Sequence, residues 1–200
     1  MVKIKQKFDL ILASSSKIRK EILENLGFDF KVIDPDFDEE VEKESIKELE
    51  IHNQALFLAR GKALSISKKY PKSLVLGSDQ ICQKANEIIS KPKNIEEAFI
   101  QLSKLNGKIH YQNNAVTLFL DGKELFSCLE IAKLKMRILE DREINSYINL
   151  DNPVGCAGSY KIESLGRHLF DKIEGDISSI SGLSIQPLLQ YLYKNQYIEL

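Results

Sequence analysis

An α/β fold with a mixed, twisted sheet and flanking helices is what this sequence predicts, on three observations. Short apolar runs such as Leu10-Ile11-Leu12-Ala13 alternate with segments of helical period through the first half of the chain. Asp121-Gly122 between two apolar runs signals an antiparallel hairpin in the second half, so the sheet is mixed. No Pro/Gly/Ser-rich linker, low-complexity tract or internal repeat divides the pattern, and residues 1–200 are read as one domain.

The elements follow in order. Residues 8–13 read as a buried strand. Ser16, an N-cap type, then opens a helix that sets Ile18, Ile22, Leu23 and Leu26 near one face. Gly27 closes it, and residues 30–33 form a second strand that stops at Pro35. A long helix over 45–69 places Ile46, Leu49, Leu56, Ala59, Ala63 and Ile66 at helical spacing. Residues 74–76 form a third strand, whose end delivers Gly77-Ser78-Asp79. Asn94 caps the next helix, with Glu97 three residues on and Ile95, Ala98, Phe99, Leu102 and Leu105 on one stripe. Residues 108–138 change period: Ala132, Leu134, Met136 and Ile138 alternate with Lys133, Lys135 and Arg137, as in a half-buried strand. A short helix near 140–149, a glycine-rich segment, a strand near 169–173 and a helix from Pro187 complete the arrangement.

Composition excludes several classes. A chain of 200 residues, 43% hydrophobic and 28% charged, buries a core and is not disordered. A net charge of -1 argues against a protein that coats nucleic acid, because displacing counterions needs a surplus of Lys and Arg. No apolar run approaches the roughly 18 residues of a membrane span, and no signal peptide is visible, so the expected address is the cytoplasm. Cys82, Cys128 and Cys156 lie far apart, and His52, His110 and His168 form no HExxH pair, which disfavours a zinc hydrolase.

Two segments carry residues suited to phosphate chemistry. Ala13-Ser14-Ser15-Ser16 leads into a helix with Lys17, Arg19 and Lys20 in its opening turn, which gathers hydroxyls, free N–H groups and a guanidinium at one helix N-terminus. The same residues also suit a plain N-cap with a solvated basic face. In Gly77-Ser78-Asp79-Gln80 a carboxylate follows an apolar strand, placed to hold Mg²⁺ or to deprotonate a water, or else to cap a turn. Asp36, Asp38, Glu39 and Glu40 after Pro35 offer further metal ligands or a charged loop. Lys62 and Lys91 are candidate phosphate partners that taken singly also read as surface lysines. No Walker A loop or GxGxxG fingerprint is present.

Taken in order, these segments resemble the Maf family of nucleoside triphosphate pyrophosphatases. Leu10 to Ser16 with Arg19 and Leu23 is similar to its LILASxSxxRxxLL opening, Pro35 to Glu39 to its P-x-x-D-E, and Leu58-Ala59 through Lys62-Ala63 to its LAxxKA. Leu76 to Asp79, Lys91-Pro92, and Gly155 to Lys161 with Gly182-Leu183 follow the later segments, so the likeness spans residues 8–192. The resemblance implies an ITPase-like fold with a deep cleft, a homodimer, a nucleoside triphosphate substrate and a divalent cation, Mg²⁺ or Mn²⁺. It implies Asp79 as proton acceptor, Glu39 and Asp79 as metal ligands, and Ser14, Ser16, Arg19, Lys62 and Lys91 as substrate-binding residues. Gln80 after the aspartate and Glu163 resemble the branch that acts on 7-methyl-GTP, since a carboxylate at 163 suits the N1 and amino donors of guanine. Ile18 occupies a specificity position where that branch commonly has Trp. The alternatives are the dTTP/UTP branch and a non-catalytic nucleotide-binding regulator of cell division.

Overall fold

The protein is described for residues 3–200 by a computed structural model. The first half of the chain forms β1 (Lys5–Gln6), β2 (Asp9–Leu12), α1 (Lys17–Asn25), β3 (Phe30–Val32), α2 (Glu39–Ser45), α3 (Ile51–Ser67), β4 (Ser73–Lys84), β5 (Glu87–Ile89) and α4 (Ile95–Leu105). The second half adds β6 (Ile109–Leu120), β7 (Lys123–Met136), α5 (Asp141–Asp151), a 3-10 helix at Leu165–Leu169, β8 (Phe170–Glu174), α6 (Ile177–Ser181), α7 (Ile185–Lys194) and β9 (Ile198–Glu199). Contacts divide the chain into two compact units. The first holds Met1–Asp79, Asn114–Leu129 and Gly182–Leu200, the second Gln80–Asn113 and Glu130–Ser181, and strands β4, β6 and β7 contribute to both.

In the first unit β2 pairs in parallel with β3 and with β4, in a register that sets Leu12 beside Leu76. Both faces of these strands are apolar, as a parallel sheet covered on two sides requires. Leu10, Leu12, Leu74, Leu76, Val116 and Leu118 point one way, into a cluster with Leu23 of α1 and Leu188 and Leu192 of α7. Ile11, Val75 and Phe119 point the other way, onto Ala63 and Ile66 of α3. A separate two-stranded sheet pairs β1 with β9. Asp121 and Gly122 both take positive φ, 49° and 72°, which is the turn geometry the Asp-Gly signal predicted for the β6–β7 hairpin.

The second unit has its own core. Ala132, Leu134 and Met136, the inward residues of the alternating strand, meet Ala98, Leu102 and Leu105 of α4 and Ile144, Tyr147 and Ile148 of α5. β4 pairs antiparallel with β5, and β7 with β8, so the sheet is mixed. Asn94 caps α4 by accepting from Glu97 N at 2.8 Å.

Four expectations are corrected. Helix 45–69 begins at Ile51, because the acidic run before it folds as α2, with Asp38 accepting from Val41 N at 3.1 Å and three glutamates in the first turn, where the helix dipole favours them. Ile138 lies beyond the end of β7 and is 84% exposed instead of facing inward. Strand 74–76 is four times longer than its apolar core and runs from Ser73 to Lys84. Asp79 therefore sits within a strand and not at its end. What ends nearby is the neighbour: β2 stops at Leu12, beside Leu76.

Candidate active site

Strand alternation decides which side chains of β4 meet α3. Val75 packs on the α3 face, so Gly77 and Asp79 follow it there at two-residue spacing. Gly77 makes the approach of the helix possible: a Cβ at that position would lie 2.4 Å from Ala59 O and 2.8 Å from the Ala63 Cβ. With α3 this close, Lys62, one turn after Ala59 and next to Ala63, reaches the strand. Its Nζ stands 2.6 Å from Asp79 Oδ1 and 2.6 Å from Glu39 Oε2, and Lys62 and Asp79 are both buried.

Glu39 arrives from the first turn of α2. Burial works against its charge, but the ammonium groups of Lys62 and Lys43 outweigh it and hold its carboxyl down at about 2. Of the other acids near Pro35, Asp38 caps α2, Asp36 pairs with Lys69 at 2.8 Å and Glu40 pairs with Lys43 at 3.0 Å. Glu39 alone of the four joins Lys62. Phe37 covers Gly61, where an added Cβ would fall 2.1 Å from its ring, and so pins the segment that leads to Glu39.

The serine-rich turn forms the other side of this cluster. Ser16 occupies the N-cap of α1 but makes no side-chain cap, and Ser14 Oγ accepts from Ser16 N at 3.2 Å and from Arg19 Nη1 at 3.1 Å. Arg19 Nε donates to Gly182 O at 2.8 Å, and Ser78 Oγ donates to the same carbonyl at 3.0 Å. Burial lowers the Arg19 guanidinium, against the pull of Asp79 and Glu39. It remains charged, and its second terminal nitrogen has no partner among the described residues. Ile18, beside Arg19 on α1, is half-buried.

Asn114, which no motif drew attention to, ties the aspartate's backbone in place. Its Nδ2 donates to Asp79 O at 3.1 Å and lies 3.3 Å from Ser78 Oγ, while its Oδ1 accepts from Ser184 N and Oγ at 2.7 and 2.6 Å. The polar run Gln112-Asn113-Asn114 inside an otherwise apolar strand pattern was the available signal. Buried amides in a strand must find partners.

The remaining candidates belong to the second unit. Gln80 is half-buried, and its Nε2 donates to Gln112 Oε1 at 2.9 Å and Ile180 O at 2.6 Å. Lys91 and Glu163 are exposed. Burial raises the thiol of Cys156, Lys161 and Lys91 pull it down, and Glu163 pushes it up.

Ser14, Arg19, Glu39, Lys62 and Asp79 thus converge within the first unit: two carboxylates on one ammonium, with a guanidinium and an uncapped helix start beside them. The donor set fits a magnesium-like ion, which takes one or two protein carboxylates and completes its shell with phosphate oxygens and water. Among the described residues no cluster of three or more His, Cys, Asp or Glu could hold a metal by itself.

The profile of the Maf-like protein family matches residues 9–195. The chain belongs to the Maf-like family. Its relatives include a nucleoside triphosphate pyrophosphatase of Bradyrhizobium diazoefficiens, 38% identical over 96% of this chain and 96% of the relative. A 7-methyl-GTP pyrophosphatase of Brucella abortus is 38% identical over 95% of this chain and 98% of the relative. A nucleoside triphosphate pyrophosphatase of Legionella pneumophila is 34% identical over 96% of each chain. Two differently described Maf-like relatives at equal identity leave the base to the residues themselves. Among the described residues no helix is long and apolar enough to cross a membrane.

Proposed function

We propose that this chain hydrolyses the α–β phosphoanhydride of a nucleoside triphosphate, with 7-methyl-GTP as its preferred substrate, releasing the monophosphate and pyrophosphate. The observation that carries the reading is the Asp79 carboxylate: Oδ1 is held by Lys62, and Oδ2 takes no hydrogen bond from the described residues. One oxygen is anchored while the other is left to act.

Asp79 accepts a proton from the attacking water as its oxygen bonds to the α phosphorus, and the bridging oxygen departs with pyrophosphate. Arg19, locked by Ser14 and Gly182, turns its remaining N–H groups to the phosphates, and the first-turn N–H groups of α1 add fixed donors. Lys62 holds Asp79 and Glu39 side by side on one ammonium. Glu39 and Asp79 would hold Mg²⁺ or Mn²⁺, which when bound neutralises charge on the phosphate oxygens. Lys91 supplies a further cation to the triphosphate. Gln80 and Glu163 present oxygen acceptors to a guanine-type base, and the 7-methyl-GTP pyrophosphatases among the relatives support that choice.

Pyrophosphate release measured on 7-methyl-GTP, GTP, dTTP and UTP with Mg²⁺ or Mn²⁺ tests the reading. Turnover is expected to be highest on 7-methyl-GTP and to fall by about 10²-fold or more in Asp79→Asn. Full activity in Asp79→Asn would remove Asp79 from the chemistry, and a preference for dTTP or UTP would overturn the base assignment.

A further inference from the structure

Gln80 ends a chain of hydrogen bonds in which backbone carbonyls fix the orientation of two amides. Its Nε2 donates to Ile180 O at 2.6 Å, and a backbone carbonyl only accepts, so that atom is the nitrogen. Its second hydrogen goes to Gln112 Oε1 at 2.9 Å. The Gln112 amide is oriented in the same way: its Nε2 donates to Ala157 O at 3.1 Å and to the Tyr160 hydroxyl at 2.8 Å, which leaves its oxygen facing Gln80. Tyr160, already accepting from Gln112, also hydrogen-bonds His110 Nε2 at 2.9 Å, and burial keeps that imidazole neutral by lowering it to about 4. Gln112, Tyr160 and His110 are all buried.

Both hydrogens of the Gln80 amide are therefore spent on protein. What remains is its oxygen, which takes no donor among the described residues. Rotating the amide to present its nitrogen would set its one oxygen against both Ile180 O and Gln112 Oε1, losing two hydrogen bonds and adding repulsion.

We propose that Gln112 is a positioning residue for base selection: by holding the Gln80 amide in one orientation it makes position 80 an acceptor only, so that opposite N1 the site takes a base with an N–H there, as guanine has, and disfavours adenine, whose N1 is itself an acceptor. The inference rests on the reading of Gln80 as a contact to the base.

The experiment compares kcat/KM for 7-methyl-GTP and ATP in single and double variants. Gln80→Leu is expected to lower the ratio by about tenfold. An unchanged ratio there would remove Gln80 from the base and the proposal with it. Gln112→Met, which fills the space without an acceptor, is expected to lower the ratio to a similar degree with kcat on ATP retained. Gln112→Glu, which keeps an oxygen for Gln80 and when protonated a donor for Ala157 O, should restore it. In a Gln80→Leu background Gln112→Met should change the ratio no further. If Gln80→Leu lowers the ratio while Gln112→Met does not, or if their effects multiply, Gln112 is structural only and the proposal falls, though Gln80 keeps its role. Should Gln112→Met fail to fold, Tyr160→Phe, which removes one of the two acceptors that hold Gln112, carries the test: a drop of about threefold supports the proposal, and an unchanged ratio overturns it.

Discussion

Lys62 Nζ lies 2.6 Å from Asp79 Oδ1, buried with it between α3 and β4 and shared with Glu39. The contact joins stability to chemistry. The ammonium that bridges two neighbouring carboxylates also fixes one Asp79 oxygen and leaves its twin available to a water.

Replacing Lys62 with Met should thus do more than remove a cation from the triphosphate. Asp79 and Glu39 would face each other without a shared counter-charge, and Asp79 would be buried unpaired. A loss of about 3 kcal/mol is expected in urea unfolding. Pyrophosphate release should fall by at least about 10²-fold. Wild-type turnover in Lys62→Met would show that the pair is structural.

Gly77→Ala tests the close approach that brings Lys62 to the strand. The added methyl would press on Ala59 O and the Ala63 Cβ, and backbone on one side gives it no room to turn away. A destabilisation of about 1–3 kcal/mol is expected. Activity should fall further than stability explains, because displacing α3 withdraws Lys62. Thermal melts and kcat measured on one preparation separate the two effects.

Asn114→Ala removes the link between the Asp79 backbone and Ser184. Four polar groups lose a partner, two of them main-chain. The expected cost is about 2–3 kcal/mol, since unsatisfied buried groups carry their full desolvation penalty. Asn114→Asp keeps the acceptor for Ser184 but sets a carboxylate against Asp79 O, and should be no better. Chemical denaturation of both variants would decide it.

His110 makes stability depend on pH in a defined window. Burial lowers its pKa from 6.5 to about 4, so the unfolded chain binds a proton at pH values where the folded chain does not. Its contribution is complete above about pH 6.5 and is lost as the pH falls towards 4, for a total of roughly 3 kcal/mol. Urea midpoints for the wild type should drop steadily across that range, and in His110→Phe the slope should flatten. A parallel drop in both would assign the acid sensitivity elsewhere.

Most of the fold was legible because its signals are local. The apolar runs at Leu10 and Leu74 and the Asn94 cap need only a few neighbouring residues to read, as does the Asp121-Gly122 turn. Errors arose where polarity misled. Ser78, Asp79 and Gln80 look like the end of a strand, yet β4 continues through them, because their side chains find partners in Gly182, Lys62 and Gln112. The acidic run after Pro35 looks like a loop, yet it folds as a helix whose N-terminus welcomes negative charge.

The sequence by itself determined the family pattern and the residue types of a phosphate site, Ser14, Arg19, Glu39, Lys62 and Asp79 among them, because types and order are written in the chain. Tertiary structure alone decided that Lys62 is a buried bridge between two carboxylates and not a surface lysine, and that Gln80 offers an oxygen and not a nitrogen. Both depend on what stands opposite a side chain across elements far apart in sequence. For a charge or an amide, that partner sets the cost of burial and the direction of every hydrogen bond.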